Sequence, residues 1–149
     1  MRIHFVVISE STRAATLDAV GRAARACRAA GSACAGMTVV DLGSTDGTPE
    51  ALRAAYPGVD VLALPRPISF GAAVNLAAEA IEADALLVLR GEVLVPPTIL
   101  EWARTRLLAE PRLGVVAPRV TDARGDLRPT IGEFGGAWTD WRARRQARR

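Results

Sequence analysis

Short, solid runs of apolar residues alternate along this chain with longer stretches of mixed polarity. Residues 3–8 form an apolar, β-branched run, too short for a helix and suited to a strand buried on both faces. Residues 37–40 and 59–63 read as a second and a third strand, 85–89 as a strongly apolar fourth, and 113–120 supply a last strand. Between these runs the spacing changes. Residues 12–30 are rich in alanine and arginine and stop at Gly31, a natural helix C-cap. Thr48 can cap a second helix, with Pro49 at its first position and Glu50 in its first turn. Residues 70–83 read as a helix of small residues able to lie close on a sheet. Residues 97–109 read as a further helix, with Ile99, Leu100, Ala103, Leu107 and Leu108 along one broad face. A turn follows from Asp122 to Asp126. Strands and helices that take turns, with short joints, predict a three-layer α/β/α architecture around a mostly parallel sheet. Residues 1–131 form one domain in this reading. Residues 132–149, which lose the periodicity and carry Trp138 and Trp141 among arginines, form a tail.

Composition sharpens the picture in three places. With 149 residues, half of them hydrophobic, the chain can bury one sizeable core, and intrinsic disorder is excluded as its general state. The net charge of +3 is uneven: residues 140–149 carry five arginines and one aspartate, leaving residues 1–139 at −1. A nucleic-acid-binding domain needs a basic face on its folded body, so nucleic acid is not an expected partner. All 19 basic residues are arginine, so arginine number alone identifies nothing. The longest apolar run, 85–89, is far below the roughly 20 residues of a membrane span, and no signal-peptide pattern opens the chain. The expected location is cytoplasmic. Trp138, Trp141 and the tail arginines also suit the anionic inner face of a membrane, against the plainer reading of a solvated tail. Cys27 and Cys34 fit neither a disulfide framework nor metal-ligand spacing, and Cys27 reads as a buried free thiol. His4, within the first strand, reads as a core or edge histidine.

Ligands of open α/β sheets bind outside the carboxyl ends of the strands, so the loops after Ile8, Val40, Ala63 and Leu89 are the ones to search. No G-x-G-x-x-G follows the first strand and no G-x-x-x-x-G-K-[ST] occurs, which removes dinucleotide and P-loop chemistry. The absence of lysine removes a phosphoryl-accepting receiver domain. Asp41, at a strand end, can accept charge-assisted hydrogen bonds from a nucleobase N–H or a ribose hydroxyl. Equally, Asp41 and Asp46 can stabilise turns through their own backbone.

Val39-Val40-Asp41-Leu42-Gly43-Ser44-Thr45-Asp46-Gly47-Thr48 resembles the V-V-D-N-G-S-T-D-G-T segment of family 2 glycosyltransferases. Ile68-Ser69-Phe70-Gly71-Ala72-Ala73-Val74-Asn75 is similar to that family's N-L-G-F-(A/G)-A-x-N, and 85–97 to its L-L-L-N-P-D-x-x-x-P-P. Residues 113–127 are similar to its V-G-A-V-G-P-R-L-x-D-x-x-G-x-L. The four segments come in the family's order and span about three quarters of the chain. The resemblance implies a GT-A fold that binds a nucleotide-diphosphate sugar for transfer to a hydroxyl acceptor. By it, Asp41 reads the base, Ser9 touches the nucleotide, and Ser44, Thr45, Asp46 and Asn75 are scaffolding. The family's N-P-D, a variant of the D-x-D motif, holds a divalent cation on the diphosphate. Arg90-Gly91-Glu92 stands there instead. Glu92 can ligate Mg²⁺ or Mn²⁺, while Arg90 opposes a cation by its charge and can itself pair with a diphosphate. The alternative is an ordinary exposed arginine.

The family's acceptor site and catalytic carboxylate follow the fourth segment. Here only 129–149 remain, and their two carboxylates, Glu133 and Asp140, stand in no matching context. No catalytic base is assigned. The expectation is a donor-binding domain that is incomplete alone, with a second chain as a candidate source of the acceptor half. The other reading is a non-catalytic binding or partner-docking domain.

Overall fold

The computed structural model describes residues 1–128, which fall into two compact units divided after Pro111. In the first unit, β1 (Ile3–Ser9), β2 (Cys34–Asp41), β3 (Asp60–Ala63) and β4 (Ala85–Arg90) form a parallel sheet in the order β3-β2-β1-β4. The helices between and after them are α1 (Arg13–Ala30), α2 (Thr48–Ala55), α3 (Phe70–Ala78) and α4 (Ile99–Ala109).

Every residue of β1 is buried, because the strand has a neighbour on each side and a helical layer on each face. Alternation along the strand divides its side chains between two cores. Ile3, Phe5 and Val7 pack with Val20, Ala23 and Ala26 of α1, Leu52 of α2, and Ile99, Leu100 and Ala103 of α4. Val6 and Ile8 pack on the other face with Ala73 and Ala77 of α3. Each such side chain contributes about 1.5–3 kcal/mol when fully buried. The solid apolar run is thus the signature of a strand that has no solvent face. The architecture is the predicted α/β/α arrangement.

Four expectations are corrected. Residues 113–119 form no strand, and only Val120–Thr121 pairs. Pro118 lacks an amide to donate, and Val115 is 82% exposed, so the apolar run has no surface to lie on. The helix expected to reach Ala83 ends at Ala78, where the amides of Ala80 and Ile81 turn to the carbonyls three residues back. Cys27 is not a free thiol. It is disulfide-bonded to Cys34, with Cα atoms 5.1 Å apart. Gly31, at φ 54°, reverses the chain after α1 and brings the helix end beside the start of β2. Along α4 the buried face is also narrower than expected: Ile99, Leu100 and Ala103 are buried, while Leu108 is exposed.

The second unit contains a hairpin of β5 (Val120–Thr121) and β6 (Leu127–Arg128). Its turn is held by Asp122, whose Oδ1 accepts from the amides of Arg124 and Asp126 and whose Oδ2 meets Arg128 at 3.1 Å. The expected tail at 132–149, with its tryptophans, arginines and carboxylates, lies outside the described residues.

His4 is a core histidine, its Nε2 3.0 Å from the Thr38 hydroxyl. Burial pulls its pKa below the ordinary imidazole value, opposed by the nearby charge of Asp60. A group whose folded pKa is depressed binds protons more readily when unfolded, so acid removes its stability. The chain is therefore expected to lose thermal stability as pH falls from 7 through the ordinary histidine range toward 5. Melting curves of the chain and of His4→Gln, measured across that window, should show the steeper decline in the unsubstituted chain.

Candidate functional site at the carboxyl edge of the sheet

Strand register brings the sequence candidates to one edge. Ser9 pairs with Asp41, Asp41 with Ala63, and Ile8 with both Val40 and Arg90. The ladder runs on past the strand ends: Leu42 N donates to Ser9 O at 2.8 Å, Gly91 N to Ile8 O at 2.7 Å, and Leu64 N to Asp41 O at 2.9 Å. Three loops therefore leave the sheet from fixed positions. Alternation continues there as well. Ser9 and Asp41 follow Val7 and Val39 toward the α1 layer, whereas Arg90 follows Leu86 toward the α3 side.

Asp41 is wholly buried. Its Oδ1 accepts from the Ser44 amide at 2.8 Å and its Oδ2 from the Ser44 hydroxyl at 2.6 Å. The Ser44 Oγ in turn accepts from the Ser11 amide at 2.7 Å, tying the loop after β2 to the loop after β1. Ser11 holds a positive φ of 48°, uncommon for a residue with a side chain. Ser9 is also buried, and its hydroxyl lies 3.0 Å from that of Thr16, which lies 3.0 Å from that of Thr12. Thr16 and Ser11 were not among the sequence candidates. The four-residue spacing of Thr12 and Thr16 on one helical face is the signal that marks the pair.

Asp46 joins the two loops a second time. Its Oδ2 accepts from the amide of Arg13, the first residue of α1, and its Oδ1 from the amide and hydroxyl of Thr48, the first residue of α2. These bonds, the Thr48 hydroxyl foremost, hold its carboxyl below the ordinary aspartate range. Gly43 lets the loop after β3 cross close by. At φ 78° it has no side chain, and a Cβ there would stand 3.2 Å from the Arg66 Cα. Gly91 is equally constrained, since a Cβ would meet the Thr16 hydroxyl at 2.7 Å.

Arg90 and Glu92 form their own pair, Nε to Oε1 at 2.7 Å, both largely exposed. Among the described residues no three His, Cys, Asp or Glu side chains gather as a cation cage. One carboxylate with substrate phosphates can suffice for Mg²⁺, so that count does not decide the matter. The Arg90 guanidinium engages one oxygen of the carboxylate that would ligate a cation, and its charge opposes a cation there. A groove of about 620 Å³, lined by Arg2, His4, Thr38, Asp60 and Leu76, lies at the opposite, amino-terminal end of the strands. It adjoins none of these loops.

No protein-family profile matches the chain, and no curated protein matches it. Solved structures do. The mannosyltransferase PcManGT of Pyrobaculum calidifontis, in complex with GDP-Man and Mn²⁺, matches with a TM-score of 0.62 at 19% identity, over 76% of this chain and 34% of that one. S. aureus TarS 1–349 matches at 0.60 and 16% identity, over 73% and 33%. The same protein in complex with UDP-GlcNAc matches at 0.61, over 73% and 32%. This chain thus has the fold of GT-A-type glycosyltransferases and spans about a third of the length of these neighbours.

Asp46→Ala removes the acceptor shared by two helix starts. It is expected to lower the melting temperature by a few degrees, as loss of a cap does, with Asp46→Asn recovering part of the difference. Thermal unfolding of the two variants at neutral pH measures both.

Proposed function

We propose that the chain binds a nucleotide-diphosphate sugar at the carboxyl edge of β2, β1 and β4, as the donor side of a glycosyl transfer to a hydroxyl acceptor. The observation that carries the reading is the register: Asp41, Ser9 and Arg90 lie on three adjacent strand ends, in a fold shared with glycosyltransferases solved with GDP-Man and UDP-GlcNAc. Parallel sheets bind ligands at that edge. In this proposal Asp41 exchanges one of its Ser44 bonds for the base N–H, and Ser9 lines the base from β1. Opening of the 42–48 loop accompanies binding, because Asp41 is buried when its bonds to Ser44 are made. Residues of the acceptor half, on this chain or a second one, complete the transfer.

The cytoplasmic setting is likewise a proposal. No helix among the described residues is long and apolar enough to cross a membrane. The Cys27–Cys34 bond pulls the other way, since disulfides persist in oxidising compartments. Contact of the 132–149 tail with an anionic membrane concerns residues outside those described.

Titration with UDP, dTDP, GDP and their sugars tests the donor site. A ligand at 100-fold over its Kd stabilises the native state by about 2.7 kcal/mol, a rise of roughly 5–10 °C for a domain of this size. One base is expected to give that saturable rise, and Asp41→Asn, checked for fold by circular dichroism, to abolish it. No shift with any of the nucleotides overturns the reading.

A further inference from the structure

Resting on the donor-site reading above, we infer that Arg90 itself binds the ligand's diphosphate, without a divalent cation, and that Glu92 is an internal counterion which the diphosphate displaces. Arg90 is the last residue of β4, in register with Ile8 and so beside the end of β1. Its backbone is fixed by that ladder, while its side chain is 67% exposed. A guanidinium carries five N–H donors. Among the described residues the Arg90 side chain uses one of them, Nε, on Glu92. Its terminal nitrogens are the pair that binds phosphate oxygens in parallel, with charge and geometry both matched.

Gly91 anchors the chain between the two: its amide donates to Ile8 O at 2.7 Å, and it lies so close to Ser9 and Thr16 that a Cβ would meet the Thr16 hydroxyl. The chain turns directly after β4, with Val93 N donating to Arg90 O at 3.0 Å, and this turn brings Glu92 within reach of Arg90. The carboxylate keeps the guanidinium paired and oriented when no anion is bound. An exposed pair of this kind contributes little to stability, so exchanging a single carboxylate for a more highly charged diphosphate is favourable.

A cation site and an arginine site predict opposite signs for one substitution. Calorimetric titration with UDP, GDP and dTDP, and with the matching nucleosides, is made in EDTA and in Mn²⁺ on the unsubstituted chain, Glu92→Gln and Arg90→Gln. The expected result is diphosphate binding that persists in EDTA and tightens several-fold in Glu92→Gln. In Arg90→Gln it should weaken by roughly ten- to a hundredfold, the scale of losing hydrogen bonds to a charged group, with nucleoside binding nearly unchanged. Binding that requires Mn²⁺ and is weakened by Glu92→Gln overturns the inference while leaving the donor site intact. Binding unaffected by either substitution also overturns it. No binding by any diphosphate or nucleoside overturns the donor site and the inference together.

Discussion

Complete burial of β1 is the constraint on which the rest of the fold depends. A strand with a neighbour on either side and helices on both faces has no freedom of register, because a shift by one residue would exchange its two cores. The ends of β2 and β4 are consequently fixed against the end of β1. With strands about 4.8 Å apart, Asp41 and Arg90 start from backbone positions roughly 10 Å apart, two strand spacings, on either side of Ser9. The ladder fixes these three backbone positions, with Ser9 and Asp41 on the α1 side of the sheet and Arg90 on the α3 side.

The loops above the edge obey a different logic. They are held by short polar side chains whose bonds go to backbone amides: Asp41 to Ser44, Ser44 to Ser11, and Asp46 to Arg13 and Thr48. Carboxylates placed at helix starts also meet the positive ends of the helix dipoles. In the structure these acidic residues build the platform, and the donor-site proposal asks Asp41 to serve a ligand as well, which explains why a turn role and a binding role could both be read from the sequence. Glu92 differs, since its partner is a side chain and exposed.

How much was legible follows from which interactions are local. β1 and the end of β2 announce themselves because burial on both faces leaves short apolar runs, whereas β3 and β4, at the sheet edges, are partly exposed and are marked by their apolar content alone. Strand ends then name the loops to search, and the resemblance to family 2 glycosyltransferase segments is what singles out Ser9 and Arg90 within them. Residues 113–119 mislead because apolar content is a property of the segment whereas a strand is a property of a pair, and Pro118 and the exposed Val115 have no pairing partner. The Cys27–Cys34 bond was hidden because it depends on the direction the chain takes after Gly31. Thr16, buried under Ser9, carried only its four-residue spacing from Thr12 as a signal, and a threonine in an alanine-rich helix looks like a surface residue until the helix is set on the sheet. The Arg90–Glu92 pair depends on the turn that follows β4, which sets two opposite charges side by side.

Asp46 has a consequence for how such a domain can change. One carboxylate serves the starts of two helices that follow different strands, so the β1–α1 and β2–α2 connections are structurally coupled. Recombination that replaces one loop while retaining the other leaves a helix start without its acceptor or an aspartate without its donors. Diversification of this edge should therefore proceed by exchanging both loops as a cassette, and the boundary of that cassette runs through the helices and not through the loops themselves.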